Sequence, residues 1–495
     1  MTAIRFFRPS IVPLTALAAA CALAACTVGP DYRGAPVVAP EAASAATFVR
    51  TPAKGVVPTP APSEWWLALN DPQLDELIAA AFAHNPDLRA AQARLRESRA
   101  QLAQQRAAEL PKVSASAAAV RMREPNLGAF TSSQTQGGDS GSSAVSSGGG
   151  PLQFYTAGFD ASWEIDLFGG TRRAIEAAND EADAVNADLA DAQVSLAAEV
   201  AQAYIDLRDQ QQRLAIAQRT AALQQQMLTL TEQRRAGGTA ADVDVERLTT
   251  QVENTRSTIT PLAAQVEISL DQLAVLTGKA PGALDQELAA AKPLPAMPAA
   301  VPVSDPSTML AQRPDIRAAE RRLASSNAQI GEHIADFLPK LTLFGDLGFT
   351  AADPGHLLRK SNFSWVGAPY LQWNVFDFGR TLGAVHGAEA SRDEAEARYE
   401  KAVLAALQDA NASLSRYGYQ REHLVTLQKV QESAERSATL MRQRYRAGAS
   451  SLVDLLDTQR AEFLSQQDVI SGQAELLKDF VSLQKSLGLG WQPAG

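Results

Sequence analysis

Few residues in this 495-residue chain are of a kind that performs covalent chemistry. Gly138-Asp139-Ser140-Gly141 copies the loop around a serine-protease nucleophile, but it sits in a Gly/Ser-rich stretch without a His and Asp context, so acyl transfer is not expected. The histidines, His84, His333, His356, His386 and His423, are not paired at metal-ligand spacing, and they read as surface residues. Both cysteines lie within the first 26 residues, which excludes downstream disulfides and thiolate metal sites. There is no phosphate-cradling Gly loop, and no cofactor, metal or enzymatic activity is expected. What remains is charge. Asp454 and Asp457 follow Gly448 by six and nine residues, a spacing that puts both carboxylates near one helical face. Like charges at close range repel one another and gather cations, which is the chemistry of a gate and not of bond-making. A lone Asp there would equally serve the helix dipole or simple solvation.

Two long helices must position these groups. One runs from Arg172 to Arg235 and its echo from Arg380 to Tyr445; at ~1.5 Å per residue, about 65 residues reach roughly 100 Å. Val200, Leu207, Leu214, Ala221 and Leu228 recur every seven residues, with Leu196, Ala203 and Ala217 on the companion seam. The second run keeps the stripe at Ala410, Tyr417, Leu424, Gln431 and Ala438. The chain carries its own partner.

The duplication extends further. Asn85-Pro86-Asp87-Leu88 matches Arg313-Pro314-Asp315-Ile316, and Leu110-Pro111-Lys112 matches Leu338-Pro339-Lys340, both 228 residues apart. Beyond the next loop the offset is 210: Trp163 with Trp373, Phe168-Gly169 with Phe378-Gly379, Gly238 with Gly448, Asp244 with Asp454 and Gly278 with Gly488. The first copy therefore holds 18 extra residues, assigned to the Gly/Ser-rich stretch from Thr131 to Gly150. Each copy reads helix, strand, loop, strand, long helix, tight turn, helix. Ala157, Phe159, Ala161, Trp163, Ile165 and Leu167 alternate with polar or small residues, as do Leu341, Leu343, Leu347 and Phe349, and then Leu371, Trp373 and Val375. Four strands cannot close a barrel, so closure without open edges requires strands pooled from several chains.

The net charge of -10 removes any electrostatic reason to bind nucleic acid. Arg5 and Arg8 precede a short apolar core from Ile11 to Leu23, as in an export signal, and Leu23-Ala24-Ala25-Cys26 looks like a bacterial lipobox with Cys26 as the acylation site. Thr27, in place of Asp, resembles lipoproteins sent to the outer membrane. From Val28 to Pro62 a Pro- and Ala-rich stretch reads as an extended tether that ends at Trp65-Trp66.

Together these pieces resemble the TolC-like outer-membrane efflux factor family, in its lipoprotein branch. The residues that carry the resemblance are Cys26 with Gly29-Pro30-Asp31-Tyr32, Asp71-Pro72-Gln73-Leu74, Asn85-Pro86-Asp87-Leu88, the twin Pro111-Lys112 and Pro339-Lys340, Asp166-Leu167-Phe168-Gly169 with Phe376-Asp377-Phe378-Gly379, and Tyr445-Arg446-Ala447-Gly448 ahead of Asp454-Leu455-Leu456-Asp457. The resemblance implies a mainly α fold with a membrane β-barrel part: a homotrimer with a 12-stranded barrel and a 12-helix periplasmic α-barrel. It also implies a passive duct, lipid-anchored in the outer membrane through Cys26, that works with a periplasmic adaptor and an inner-membrane pump. The turns Arg235-Ala236-Gly237-Gly238 and Arg446-Ala447-Gly448-Ala449 resemble the adaptor-contact tips, although Gly at a helix end also simply terminates it. Asp454 and Asp457 match the periplasmic gate, where they would ring the axis and take cation block, and Tyr445 with Asp244 match a pair whose hydrogen bond helps hold it shut. An Arg expected two residues past Gly448 is Ser450 here.

The expected divisions are a signal peptide (1–25), a tether (26–66), a first repeat (67–280; strands near 112–122 and 154–167, long helix near 170–236), a linker (281–303), a second repeat (304–490; strands near 340–350 and 364–377, long helix near 380–447) and a tail (491–495). Two other functions fit the elements less well: the outer-membrane duct of a type I protein secretion system, and a periplasmic coiled-coil lipoprotein without a pore.

Overall fold

A computed structural model describes residues 27–122 and 152–491. Cys26 and the Gly138–Gly141 loop lie outside the described residues. The principal helices are α1 (Pro72–His84), α2 (Pro86–Ala107), α3 (Gly170–Ala236), α4 (Asp242–Leu276), α5 (Pro306–Gln312), α6 (Pro314–Ala335), α7 (Arg380–Arg446) and α8 (Leu452–Ser486). The strands are β1 (Val56–Val57), β2 (Lys112–Met122), β3 (Leu152–Ile165), β4 (Val301–Pro302), β5 (Lys340–Ala351) and β6 (Phe363–Gln372). The duplication holds to the residue in helix length: α2 and α6 have 22 residues each, α3 and α7 have 67, and α4 and α8 have 35.

The chain divides into two compact units. The first holds the described parts of Met1–Arg33, Arg99–Asp180 and Ala324–Asp393. Its sheet has the order β2-β3-β5-β6, antiparallel throughout. Alternation sorts its faces: Phe159 pairs with Leu347 and Trp163 with Leu343 on one, while Asp160 pairs with Asp346 and Thr156 with Thr350 on the other. Phe159, Leu343, Leu347, Trp365 and Leu371 are exposed on the apolar face. Both copies tie their second strand region to the preceding helix end in the same way. Trp163 Nε1 donates to the Glu109 carbonyl at 2.8 Å, and Trp373 Nε1 donates to the Phe337 carbonyl at 2.9 Å. The start of the tether is pinned here too. Arg173 donates from Nε to the Val28 carbonyl (3.1 Å) and pairs with Asp31 at 2.6 Å, holding that carboxyl below its usual range.

This sheet corrects the expected fold. The resemblance implied a closed barrel with transmembrane β-strands; the described chain is mainly α-helical with two small sheets, and the larger one is open, because β2 and β6 each pair on one side only. Four strands joined as two hairpins have no partner left to close on. β6 also stops at Gln372, before the expected 377, since Asp377 accepts from the Gly379 and Thr381 amides (3.1 and 2.7 Å) and so opens α7. The expected localisation is corrected in its spanning part: the described strands form an open sheet and not a barrel, no described helix is long and apolar enough to cross a membrane, and anchorage through Cys26 lies outside the described residues.

The second unit comprises Gly34–Ser98, Glu181–Leu323 and Glu394–Gly495. Trp65, Leu69, Leu74 and Ile78 bury themselves against Val200, Ala203, Tyr204 and Leu207 of α3, Ala410 and Tyr417 of α7, and Phe480 of α8. The small residues let the backbones come close, and Trp65 fills the remaining space edge-on to Phe480 at 5.8 Å. The seven-residue stripe faces inward: Val200, Leu207, Ala221 and Leu228 are buried and Leu214 half-buried. Both copies close with one device. Asn85 Nδ2 donates to the Leu276 carbonyl at 3.0 Å, and Arg313 Nη1, its equivalent, donates to the Ser486 carbonyl at 2.7 Å, each satisfying an orphan carbonyl at a helix end. Gly278 and Gly488 follow these ends at φ 71° and 75°, with no room for a Cβ beside His84 or Arg313. β1 of the tether pairs in parallel with β4 of the linker.

Candidate functional site

The turns α3–α4 and α7–α8 belong to the second unit and are built by end-capping. α3 closes through Gly238 N–H to the Arg235 carbonyl (2.9 Å) and Thr239 N–H to the Arg234 carbonyl (2.8 Å). α7 repeats this with Gly448 N–H to the Tyr445 carbonyl (3.0 Å) and Ala449 N–H to the Arg444 carbonyl (2.9 Å). Gly238 (φ 78°) and Gly448 (φ 72°) take the left-handed conformation such a turn requires, and nothing stands where a Cβ would be, so their need is conformational and not steric. Gly237 lacks a positive φ. A small apolar cluster of Leu228, Val245, Leu248, Val252, Leu452, Leu455 and Leu456 holds the two turns together, with Tyr445 and Met441 packed against it.

The helix starts differ. α8 opens with a capping box: Ser451 Oγ accepts from Asp454 N–H at 3.2 Å, while Asp454 Oδ2 accepts from the Ser451 amide at 3.2 Å and from its hydroxyl at 2.8 Å. α4 has Ala241 at the equivalent place and no side-chain cap. There, Arg235 and Asp242 form an ion pair at 2.6 Å across the turn, and Asp244 lies 4.0 Å from Arg247.

The expected site residues fall into two groups. Asp454 and Asp457 lie on the first turns of α8, both exposed, without a cationic partner among the described residues. Asp244 is half-buried on α4 and faces Arg247; Tyr445 is half-buried on the apolar cluster; no hydrogen bond joins the two within the chain among the described residues. Arg446 is exposed beyond the cluster, beside Gly448. Ser450 Oγ is buried without a hydrogen-bond partner. Sequence reasoning missed Arg247, the residue that stands in the first copy where Asp457 stands in the second, although subtracting 210 from 457 finds it. It also missed the Ser451 cap, which the Ser-x-x-Asp spacing signals. Among the described residues no group of three or more His, Cys, Asp or Glu is placed to hold a metal ion.

Comparison with known proteins agrees with this architecture. Residues 77–279 and 306–489 match the outer membrane efflux protein family. The chain is 31% identical over 474 residues to the antibiotic efflux pump outer membrane protein ArpC of Pseudomonas putida, covering 95% of this chain and 93% of that one. It is 30% identical over 474 residues to the toluene efflux pump outer membrane protein TtgC, also of Pseudomonas putida, with the same coverage. Among solved structures, that of the outer-membrane channel OprN superposes with a TM-score of 0.79 at 34% identity, covering 94% of this chain and all of that one. The duplicated helices, the two capped turns and these matches along nearly the whole chain have one meaning: this chain belongs to the outer membrane efflux protein family, the TolC-like outer-membrane channel components of RND-type tripartite efflux systems, whose members are not enzymes.

Proposed function

We propose that this chain works as a homotrimeric, passive duct for small amphiphilic molecules, with Asp454 and Asp457 as its gate. The observation that carries the gate is a contrast between equivalent positions. Where α4 follows Asp244 with Arg247, α8 follows Asp454 with Asp457, and two like charges at (i, i+3) cost a helix a few tenths of a kcal/mol. The second copy keeps a repulsion that the first copy neutralises. Stability does not account for Asp457, whereas a self-repelling, cation-gathering constriction does once copies of the chain set these carboxylates around an axis.

Self-association is supported by the exposed apolar residues Leu223 and Leu230 on α3 and Leu404 and Leu440 on α7, which one chain leaves uncovered. The tips at Gly237, Gly238, Arg446 and Gly448 are the surface for the adaptor: they are exposed, Gly238 and Gly448 leave open space, and Arg446 offers an exposed cation. The relatives' names, antibiotic and toluene efflux, support small-molecule cargo delivered by the pump. The gate is tested in planar lipid bilayers. Asp454→Ala with Asp457→Ala raises single-channel conductance and removes block by multivalent cations; block of unchanged strength in the double variant rejects the assignment.

A further inference from the structure

A groove of about 680 Å³ lies in the second unit between the tether and α7, walled by Val49 to Lys54 and floored by α7 from Leu414 to Val425. The tether is seated there by several contacts. Phe48 is buried in the core, and the Arg50 amide donates to Asn411 Oδ1 at 3.1 Å. Pro52 fits over Gly418, where a Cβ would come within 2.9 Å of the ring. The Arg421 guanidinium fills the space beside Gly55 that any Cβ would need. The groove is thus preformed by the fold.

Its lining is of two kinds. Val49, Tyr419 and Val425 leave apolar or aromatic surface open, at 84%, 73% and 48% exposure. Arg50, Lys54 and Arg421 bring three cations against one carboxylate, Glu422, and none of the three forms an ion pair among the described residues. Arg421 Nη1 is buried against Gly55 with no hydrogen-bond partner, so this cation joins the groove's lining without being neutralised. In a chain of net charge -10, three unpaired cations around one apolar groove run against the prevailing sign. We propose that this groove binds an anionic amphiphile: one carboxylate or sulfonate head held by Arg421, Arg50 and Lys54, and an aromatic or alkyl body laid over Tyr419 and Val425. The head is recognised by charge-assisted hydrogen bonds and the body by removal of apolar surface from water.

The test is a fluorescence titration of the assembled full-length protein with anilinonaphthalene sulfonate and with its uncharged relative N-phenylnaphthylamine. The sulfonate binds one saturable site per chain, and the uncharged probe binds roughly tenfold or more weaker. Arg421→Gln weakens the sulfonate by roughly tenfold, and Lys54→Gln, an exposed change that leaves the tether seated, weakens it by roughly threefold. Glu422→Gln tightens it. Equal affinity for the two probes, or affinity unmoved by Lys54→Gln and Glu422→Gln, overturns the proposal. So does a groove that takes the probe only in dissociated chains, which would assign it to a second copy.

Discussion

The α3–α4 and α7–α8 turns are copies of one design with the charges redistributed. At 235 and 445, an arginine paired across the turn with Asp242 becomes a tyrosine on the apolar cluster that Leu452, the counterpart of Asp242, helps to form. At 241 and 451, an uncapped alanine becomes a capping serine. At 247 and 457, the arginine facing Asp244 becomes a second carboxylate. Both turns rest on the shared apolar cluster; the first adds exposed ion pairs that neutralise its charges, whereas the second adds a cap and leaves two carboxylates without a cationic partner among the described residues. Duplication made the scaffold redundant, so one copy can keep the turn stable while the other carries charge that stability does not ask for.

The contrast continues along the last helices. Ser269 on α4 donates its hydroxyl to Gln210 at 2.8 Å, and its equivalent on α8 is Asp479, buried at 7% exposure and raised to about 6, chiefly by burial and then by Glu475. A carboxyl whose folded value lies above its ordinary 3.8 imposes no penalty while protonated and its full penalty once ionised. Its contribution to stability therefore falls as pH rises from 3.8 to about 6.

The largest expected effect comes from erasing the contrast at the tips. Asp457→Arg, which gives α8 the charge of α4, lowers multivalent-cation block of the channel by roughly tenfold or more, read from bilayer recordings against cation concentration. The converse, Arg247→Asp, adds a carboxylate and strengthens the block; if neither change moves it, the two turns do not differ in function. Next is Asp479→Asn, which makes α8 neutral at this position as α4 is. It raises stability at neutral pH by about 2 kcal/mol and flattens the fall between 3.8 and about 6, measured as Tm against pH; a wild-type Tm that rises through that window contradicts the assignment. Ser451→Ala removes the cap and costs about 1 kcal/mol, read as faster amide exchange over the first turn of α8, while Ala241→Ser returns up to about the same amount to α4. The smallest effect is Arg235→Ala, whose pair with Asp242 is largely exposed (54% and 81%); about 0.5 kcal/mol or less is lost, and a loss several times larger would mean that the pair, and not the glycine turn, organises this tip.

Much of this architecture is legible in residue identities. A helix repeats every 3.6 residues and a strand every two, so the stripe at Val200, Leu207, Ala221 and Leu228 and the alternation at Phe159, Ala161 and Trp163 declare themselves locally. The matched offsets align Asp244 with Asp454 without coordinates, and the same arithmetic pairs Asp457 with Arg247. Other features have no local signal. Arg208 lies on the long amphipathic helix as if for solvent, yet it is fully buried: it donates to Gln73 Oε1 (2.6 Å) and the Ala290 carbonyl (2.8 Å) and lies over the Tyr204 ring at 4.8 Å. Its hydrogen-bond acceptors Gln73 and Ala290 come from α1 and the linker, far away in sequence. The barrel is the opposite failure, an inference from pooled strands that a single chain, with its open edges at β2 and β6, does not contain.

By itself the sequence determined the duplicated order of elements and their faces, and the positions of Gly238, Gly448, Asp454 and Asp457, because these depend on periodicity and on backbone preferences acting over a few residues. Only the tertiary structure decided which charges are neutralised and which left free, how the tether is seated on α7, and where the sheet ends. Pairing and burial depend on neighbours brought together from distant parts of the chain, and that neighbourhood is written in no local pattern.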